Sequence, residues 1–218
     1  ILLIGNSGGI GHALQGALEA RGASVTGLSR RDTGLDLNDE ASIEGQLSAL
    51  SGPFDAILVA SGALEINGAR PEKALSQLTQ SAFLDQFIVN AAGPALILKH
   101  APRLLPKDRP SQFAALSARV GSIGDNKIGG WYSYRAAKAA LNQIIHTGAI
   151  ELARTHRQAV CVALHPGTVQ TPFTAKYLGR HPSVPASQAA LNLLSVLEGL
   201  GPDKTGQFFD WAGKPVPW

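Results

Sequence analysis

The chain has 218 residues, of which 44% are hydrophobic, and 19 Lys and Arg against 16 Asp and Glu give a formal net charge of +3. This size and apolar content predict one well-buried core and a single domain. The basic residues are scattered, with Arg30–Arg31 as the one adjacent pair, which argues against a nucleic-acid-binding surface. We expect no membrane helix, because we find no apolar run of 18 residues.

Cysteine, methionine and histidine usage add further expectations. Cys161 is the only cysteine and lies in the apolar run 159–164, which predicts a buried strand residue in a reducing, cytoplasmic compartment. The chain has no methionine and begins inside a strand-like run, so we expect further residues before Ile1. The six histidines show no metal-ligand spacing, so we predict no metal site.

Short apolar runs alternate with helical patterns along the whole chain. Continuous apolar strands between helices predict a Rossmann-type, doubly wound parallel sheet of the α/β class, as a single domain over residues 1–218. A long irregular stretch, 165–185, follows the fifth strand, and we expect a short substrate loop around 171–187. The predicted strands are 1–4, 23–28, 54–60, 111–116, 159–164 and 206–210, and the predicted helices are 10–21, 40–50, 71–77, 80–101, 131–155 and 186–199.

The first predicted strand leads into a glycine loop. Gly5, Gly9 and Gly11 stand between the run Ile1–Ile4 and a helical pattern, in a Gly-x-x-x-Gly-x-Gly spacing. Glycines allow a tight turn and close approach to a pyrophosphate, and a helix N-terminus offers N–H donors to it. The strand-to-helix setting therefore favours a dinucleotide site over an ordinary turn.

The end of the second predicted strand carries Ser29, Arg30 and Arg31 and no acid. In a dinucleotide fold an acid at this place binds the ribose 2′-OH of NAD, whereas an Arg accommodates the 2′-phosphate of NADP. Guanidinium–phosphate pairs are strong and can be bidentate. The sequence therefore favours NADP(H) over NAD(H), with a merely solubilising role for the arginines as the alternative.

Tyr134 and Lys138 stand four residues apart at the start of a predicted helix. At that spacing both side chains share one helix face. A phenol ionises near pH ~10, and an ammonium group one turn away should lower that pKa. We therefore expect the pair to act as an acid/base device.

Together these motifs resemble the short-chain dehydrogenase/reductase family, over nearly the whole chain and in the right order. The resemblance is closest to the branch of the sniffer carbonyl reductases and the C-factor signalling protein, through 121–123, 129–135 and the ending 209–218. It implies that Tyr134 and Lys138 are catalytic, and that Asn90 anchors a water that relays protons to Lys138. It also implies two kinds of partner. One is a small carbonyl substrate, and the other is further copies of the same chain, which form a homodimer or homotetramer by pairing through helices 80–101 and 131–155.

The resemblance also implies a cofactor site spread along the chain. Asp36 and Leu37 match the pair that holds the adenine, and the segment from Pro166 to Thr171 matches the one that lies against the nicotinamide. Ala60 stands where the family usually has an Asn, while the glycine that permits cofactor approach is kept as Gly62. The implied cofactor residues are Gly5, Ser7, Gly9, Ile10, Gly11, Ser29, Arg30, Asp36, Leu37, Ala60, Gly62, Tyr134, Lys138, Pro166, Gly167, Val169 and Thr171.

The third catalytic partner departs from the family pattern, which is Ser-x-x-Gly before the Tyr. Counting back three from Gly121 reaches Ala118, with Ser117 one place early and Ser122 one place late. Neighbouring strand residues point to opposite faces, so one place matters. We favour Ser117 over Ser122 as the catalytic serine, and a backbone group or Tyr132 as the substitute if neither serves.

The resemblance thus predicts an NADP(H)-dependent oxidoreductase that interconverts a ketone or aldehyde and an alcohol. The displaced serine and Ala60 leave open a cofactor-binding regulatory or signalling protein with little or no catalysis. A nucleotide-sugar epimerase or dehydratase shares the Tyr/Lys pair, but usually has a longer C-terminal region. Trp131, Trp211 and Trp218 either line the substrate mouth or simply pack.

Overall fold

The centre of the protein is one parallel sheet of six short strands. The computed structural model describes residues 1–179 and 182–218, so two residues of the predicted substrate loop, 180 and 181, lie outside the described residues. The strands are β1 (Leu2–Ile4), β2 (Thr26–Leu28), β3 (Ala56–Val59), β4 (Ser111–Leu116), β5 (Ala159–His165), β6 (Val169–Gln170), β7 (Val184–Pro185) and β8 (Phe208–Asp210). The sheet order is β2-β1-β3-β4-β5-β8, while β6 and β7 form a separate parallel pair.

Helices cover both faces of this sheet. Alternate residues of each strand enter two different cores: Leu2 and Phe113 pack on one face, and Leu3 and Ala114 pack on the other. The helices are α1 (Gly9–Glu19), α2 (Arg30–Thr33), α3 (Glu40–Ser48), α4 (Gln80–Phe87), α5 (Gly93–Lys99), α6 (Ala101–Leu104), α7 (Tyr132–Leu152) and α8 (Ala186–Glu198). Helices α3, α5 and α7 supply the first core, and α1 and α8 supply the second.

The architecture confirms the predicted doubly wound α/β fold, and the six predicted sheet strands overlap the observed ones. Cys161 is fully buried in β5, as expected. The strand order reverses direction between β1 and β3, which places a crevice at the carboxyl ends of the strands, where such folds bind ligands.

One helix prediction was wrong and one needs refining. The expected helix 71–77 is a loop that ends in one 3-10 turn, Leu75–Gln77, and Pro71 and Glu72 are buried against other elements. The expected helix 80–101 forms as a helical segment from Gln80 to Lys99 followed by α6, but a π-helical turn at Ile88–Ala92 separates α4 from α5. The π turn contains Asn90, and such single turns often mark functional positions.

The segment Gln80–Lys99 also bears on membrane insertion. By length and composition alone it could cross a membrane, with a mean hydropathy of 1.3, contrary to our expectation that no such run exists. In this fold Ala91 and Ile97 of the segment lie in the core beside Leu141 of α7. Of this apolar stretch 44% is buried inside the protein.

Candidate active site

The predicted glycine loop joins β1 to α1 through contacts that leave no room for side chains. Gly5 has a φ of +86°, and a Cβ there would lie 2.8 Å from the backbone N of Ser61. A Cβ on Gly11 would lie 2.0 Å from the carbonyl oxygen of Gly5, and one on Gly9 would lie 2.6 Å from Cγ2 of Thr171. The loop therefore lies against both the end of β3 and the predicted nicotinamide segment.

The first turn of α1 is open to an anion. Gly8 occupies the N-cap without a side-chain hydrogen bond, and the first turn carries no acid. The first N–H groups of the helix therefore keep their donor capacity and the positive end of the helix dipole. Ser7 lies partly exposed in the loop, and Ile10 packs its side chain on the core beneath it. These residues fit a pyrophosphate, as a dinucleotide cofactor requires.

At the end of β2 the arginines have different surroundings. The hydroxyl of Ser29 both accepts from the N–H of Asp32 and donates to its carboxylate, so Ser29 serves the start of α2. Arg31 donates to the other oxygen of Asp32 at 3.0 Å, which lowers the pKa of that acid further. Arg30 is exposed and makes no ion pair with a carboxylate of the described residues. Arg30 is thus the guanidinium with free donors at the place where a 2′-phosphate would lie.

The predicted adenine pair lies in a turn after α2. One carboxylate oxygen of Asp36 accepts from the backbone and side chain of Asn38, which lowers the pKa of Asp36. Leu37 packs over Gly93, where a Cβ would be 2.9 Å from the Cβ of Leu37. The turn is therefore fixed against the start of α5, and one oxygen of Asp36 is left for a ligand.

Asn90, Gly62 and Lys138 meet at the end of β3. The amide of Asn90 donates to the carbonyl of Ala63 at 2.8 Å and accepts from the N–H of the same residue at 3.1 Å. A Cβ on Gly62 would lie 2.9 Å from Oδ1 of Asn90 and 3.6 Å from Nζ of Lys138. The structure thus gathers these three predicted residues, while Ala60, which is partly buried, contributes apolar surface only.

Tyr134 and Lys138 lie on one face of the first turns of α7, both buried. Nζ of Lys138 donates to the carbonyl of Leu116 at 2.9 Å and lies 5.8 Å from the centre of the Tyr134 ring. The prediction that Lys138 lowers the pKa of Tyr134 is wrong for this structure. Burial raises the pKa of Tyr134 well above its ordinary value and lowers the pKa of Lys138 to about 7, because neither charge is well solvated.

The two candidate serines are engaged in other contacts. The hydroxyl of Ser117 donates to Oδ1 of Asn142 at 2.6 Å inside the junction of β4 and α7. Ser122 accepts from the N–H of Asp125 in the following turn. A hydroxyl has a single proton, so Ser117 must give up its bond to Asn142 before it can polarise a substrate carbonyl. Neither serine contacts Tyr134 among the hydrogen bonds of the described residues, and Ala118 adds no polar group.

The segment that follows β5 supplies an apolar wall. Gly167 has a φ of +79° and packs under Trp211, while Val169 is buried in β6. After Thr171 the chain turns, and the ring of Phe173 lies 6.3 Å from that of Tyr134. Pro166 stands at the start of this segment, partly buried.

Two more aromatic rings complete that wall. The ring of Trp131 lies 6.2 Å from Tyr134 and 5.1 Å from Tyr177, both edge to face. Tyr177 donates its hydroxyl to Glu65 at 3.0 Å, and Lys176 binds the same carboxylate at 2.6 Å. The predicted substrate loop is therefore held beside Tyr134 by Glu65, which follows β3. Trp218, in contrast, packs away from these rings.

Sequence reasoning missed several of these neighbours. Phe173 and Tyr177 fell in a stretch that we treated as irregular, and Glu65, Glu72 and Asn142 were not considered. Apolar rings within the predicted substrate loop were a usable signal for the first two. The other three act through contacts with residues far away in sequence, which no local pattern shows.

Comparison with known proteins agrees with this geometry. The family profile described as Enoyl-(Acyl carrier protein) reductase matches residues 4–194. C-signal of Myxococcus xanthus is 35% identical over 148 residues, which cover 66% of this chain and 84% of that protein. A 1-hydroxy-2-glutathionyl-2-methyl-3-butene dehydrogenase of Rhodococcus sp. strain AD45 is 27% identical over 233 residues, which cover 100% of this chain and 99% of that protein.

Solved structures show the same fold. A Burkholderia multivorans protein described as a short-chain dehydrogenase/reductase, solved with bound NADP, matches with a TM-score of 0.83 at 26% identity. The carbonyl reductase Sniffer of D. melanogaster matches with a TM-score of 0.82 at 20% identity, a likeness that shows the fold alone. Each match covers 100% of this chain and 98% of the other.

Proposed function

Because the chain belongs to the short-chain dehydrogenase/reductase family, whose members are oxidoreductases that use a nicotinamide cofactor, we propose that it interconverts a carbonyl compound and an alcohol with NADP(H). The observation that carries the proposal is the meeting of Tyr134, Lys138, Asn90 and Gly62 at the carboxyl ends of β3 and β4. The free helix end that suits a pyrophosphate lies near this cluster, because Gly5, which leads into that helix, packs against Ser61 beside Gly62.

The chain's own residues orient and protonate the substrate. When bound, the reduced nicotinamide supplies a hydride to the carbonyl carbon. Tyr134 carries its proton at neutral pH, as a phenol ordinarily does, and its raised pKa keeps it so; it can therefore donate that proton to the carbonyl oxygen as the oxygen gains charge. Lys138, with a pKa of about 7, then returns a proton to the phenolate. Asn90 fixes the backbone of Ala63 beside them, and Phe173 and Trp131 keep water from the reacting atoms.

A panel of ketones and aldehydes tests the activity. We expect the protein to oxidise NADPH with at least one of them, and Tyr134→Phe to lower kcat by about 10² or more, the usual contribution of general acid catalysis. NADPH should bind the variant as tightly as it binds the wild type, measured by calorimetry. Undiminished turnover in Tyr134→Phe would sink this mechanism.

Arg30 supports the choice of NADP(H). Its donors are free at the end of β2, and the nearby carboxylate of Asp32, which would repel a phosphate, is held by Ser29 and Arg31. We expect Arg30→Ala to lower kcat/KM for NADPH by about 10- to 100-fold, the range for a lost charge-assisted hydrogen bond, and to leave NADH unaffected. Arg154→Ala, an exposed arginine beyond α7, is the matched control. An equal loss with both cofactors would argue against a phosphate contact.

A second candidate is a cofactor-binding signalling protein with little catalysis. It is favoured by the hydroxyl of Ser117, whose proton is given to Asn142 and not to the site of Tyr134, and by the relative named C-signal. Tight NADPH binding without turnover on any carbonyl would select it. We place it second because Tyr134, Lys138 and Asn90 are all present and brought together.

A further inference from the structure

A buried carboxylate lies beneath the first turn of α7, and the reaction above does not use it. Glu72, in the loop between β3 and α4, has only 3% of its surface exposed. Its carbonyl oxygen accepts from the N–H of Trp131 at 2.5 Å, and its carboxylate accepts from the N–H of Ser133 at 3.3 Å. Glu72 therefore contacts the helix start on both sides of Tyr132 and one residue before Tyr134.

The start of α7 needs such a partner. The first N–H groups of any helix lack partners within the helix, and a Ser, Thr, Asp or Asn at the N-cap usually supplies one. Here the N-cap is Trp131, which has no side-chain acceptor, and the first turn carries no acid. Glu72 brings the missing acceptor, and a carboxylate suited to the helix dipole, from another part of the chain.

The backbone before Tyr134 also needs to be held. Gly129, Gly130 and Trp131 have φ values of +71°, +68° and +55°, and the left-handed conformation is unfavourable for a tryptophan. The guanidinium of Arg135 donates to the carbonyls of Gly129 and Gly130 on one side. On the other side the backbone carbonyl of Glu72 accepts from the N–H of Trp131, while its side chain accepts from the N–H of Ser133 two residues further on.

An ordinary cap would not require a buried acid. One carboxylate oxygen of Glu72 is buried without a hydrogen-bond partner among the described residues, which is costly for a carboxylate. A serine or aspartate at position 131 would lose the ring that lies 6.2 Å from Tyr134 and 5.1 Å from Tyr177. The arrangement keeps that ring and caps the helix from a distance.

We propose that Glu72 is a positioning residue: it fixes the first turn of α7 and the ring of Trp131, so that the hydroxyl of Tyr134 points at the reacting oxygen. The kinetic part of this inference rests on the proposed function. A displacement of about 1 Å at a reacting group can cost about 10²-fold in rate, so loss of this hold should appear in kcat.

The test compares Glu72→Ala and Glu72→Gln with Glu151→Ala, an exposed acid near the end of the same helix. We expect Glu72→Ala to lower kcat per NADPH-binding site by about 10- to 100-fold, with the Kd for NADPH unchanged. Glu72→Gln should recover most of the rate, because its amide oxygen can still accept from Ser133. Glu151→Ala should behave as the wild type. All rates are compared well below the lowest Tm.

A second readout does not require turnover. The chain has three tyrosines, so 3-fluorotyrosine labelling gives three ¹⁹F NMR signals that Tyr→Phe variants assign. We expect the Tyr134 signal to move in Glu72→Ala and to stay near its wild-type position in Glu72→Gln and Glu151→Ala. If Glu72→Ala does not fold, Glu72→Asp replaces it in both measurements, the kcat and the ¹⁹F signal of Tyr134. This variant keeps the carboxylate, but its side chain is too short to reach the N–H of Ser133 in the same way.

The outcomes separate the two proposals. An unmoved Tyr134 signal in Glu72→Ala overturns the positioning role, and so does a kcat per site equal to that of Glu151→Ala, even if Tm falls. A wild-type protein that turns over no carbonyl refutes the proposed function instead. In that case the ¹⁹F comparison still decides whether Glu72 sets the position of Tyr134.

Discussion

The nucleotide end of the site is held by backbone geometry, whereas the chemical end is held by side chains from distant parts of the chain. At the nucleotide end Gly11 lets its backbone approach that of Gly5 within one strand–loop–helix unit, and Gly5 itself has the positive φ that this turn requires. At the chemical end the bond from Ser133 to Glu72 spans 61 residues, and that from Tyr177 to Glu65 spans 112. Cofactor binding therefore depends on local conformation, while the reacting groups depend on the whole fold.

The largest difference should appear in how pH affects stability, because only the chemical end buries an amine. The folded pKa of Lys138 is about 7, against an ordinary 10.5. Between those values the unfolded chain binds a proton that the folded chain does not, so wild-type stability should gain up to about 1.4 kcal/mol per pH unit from this group as pH rises. Below pH ~7 both states are protonated and the burial cost is fully present.

Lys138→Met removes that cost along with the activity. We expect its free energy of unfolding in urea to rise less steeply between about pH 7 and pH 9.5 than that of the wild type. Lys127→Met, at an exposed lysine, should keep the wild-type slope. If the unfolding free energies of the wild type and Lys138→Met changed with pH in parallel, burial of Lys138 would carry no such cost in stability.

A glycine substitution in α1 should weaken NADPH binding at the nucleotide end without changing the chemical end. Gly11→Ala places a Cβ 2.0 Å from the carbonyl oxygen of Gly5, so we expect a loss of about 1–3 kcal/mol in unfolding free energy. The Kd for NADPH should rise about 10-fold or more, because each 1.4 kcal/mol of binding free energy lost through distortion of the loop raises the Kd by about a factor of ten. Calorimetry and urea unfolding measure both.

Gly16→Ala is the matched control in the same helix. A Cβ at Gly16 meets nothing within 4 Å, so the substitution should raise stability by about 0.5–1 kcal/mol and leave the Kd unchanged. Equal effects of the two variants on the Kd would contradict the view that close backbone approach defines this end.

The smallest expected effect is a gain of function at the chemical end. Ala118→Ser adds a hydroxyl at the place where the family pattern has one, and we expect kcat to rise on the order of 10-fold. That is less than the ~10²–10³ lost when a preorganised donor is removed from other enzymes, since nothing orients the new hydroxyl.

Ser117→Ala tests whether the existing serine donates a hydrogen bond to the substrate carbonyl. It removes the bond to Asn142, so unfolding free energy should fall by about 1 kcal/mol while kcat stays nearly the same. A fall in kcat as large as that of Tyr134→Phe would instead make Ser117 the carbonyl donor. Steady-state kinetics with the best substrate distinguishes the two.

Sequence patterns predicted the sheet and the glycine loop well, because both depend on local features. A buried parallel strand is a continuous apolar run, and residues 111–116 were predicted with the observed bounds. Gly5 and Gly11 are needed by the loop itself, so a reader of the sequence can find them. The predicted pair Tyr134/Lys138 likewise follows from helix periodicity.

The failures lie where tertiary contacts override local preference. Asn90 binds back to Ala63 within a π turn, so the hydrogen-bond pattern of the helix predicted over 80–101 changes there, which no local pattern shows. Glu72 is drawn beneath α7, so the helix predicted over 71–77 does not form. The sign of the pKa shift of Tyr134 was wrong because burial outweighs the charge of Lys138, and burial is a property of the fold.

The double contact at Glu65 has a consequence for how this protein is assayed. Lys176 and Tyr177 both bind that one carboxylate, and the side chain of Lys176 is 60% exposed. Dissolved ions screen such an exposed pair, with a Debye length that shrinks from about 10 Å at 0.1 M to about 3 Å at 1 M. The time that Phe173 spends beside Tyr134, and Tyr177 beside Trp131, should therefore shorten as ionic strength rises. A kcat for this chain is meaningful only with its salt concentration stated.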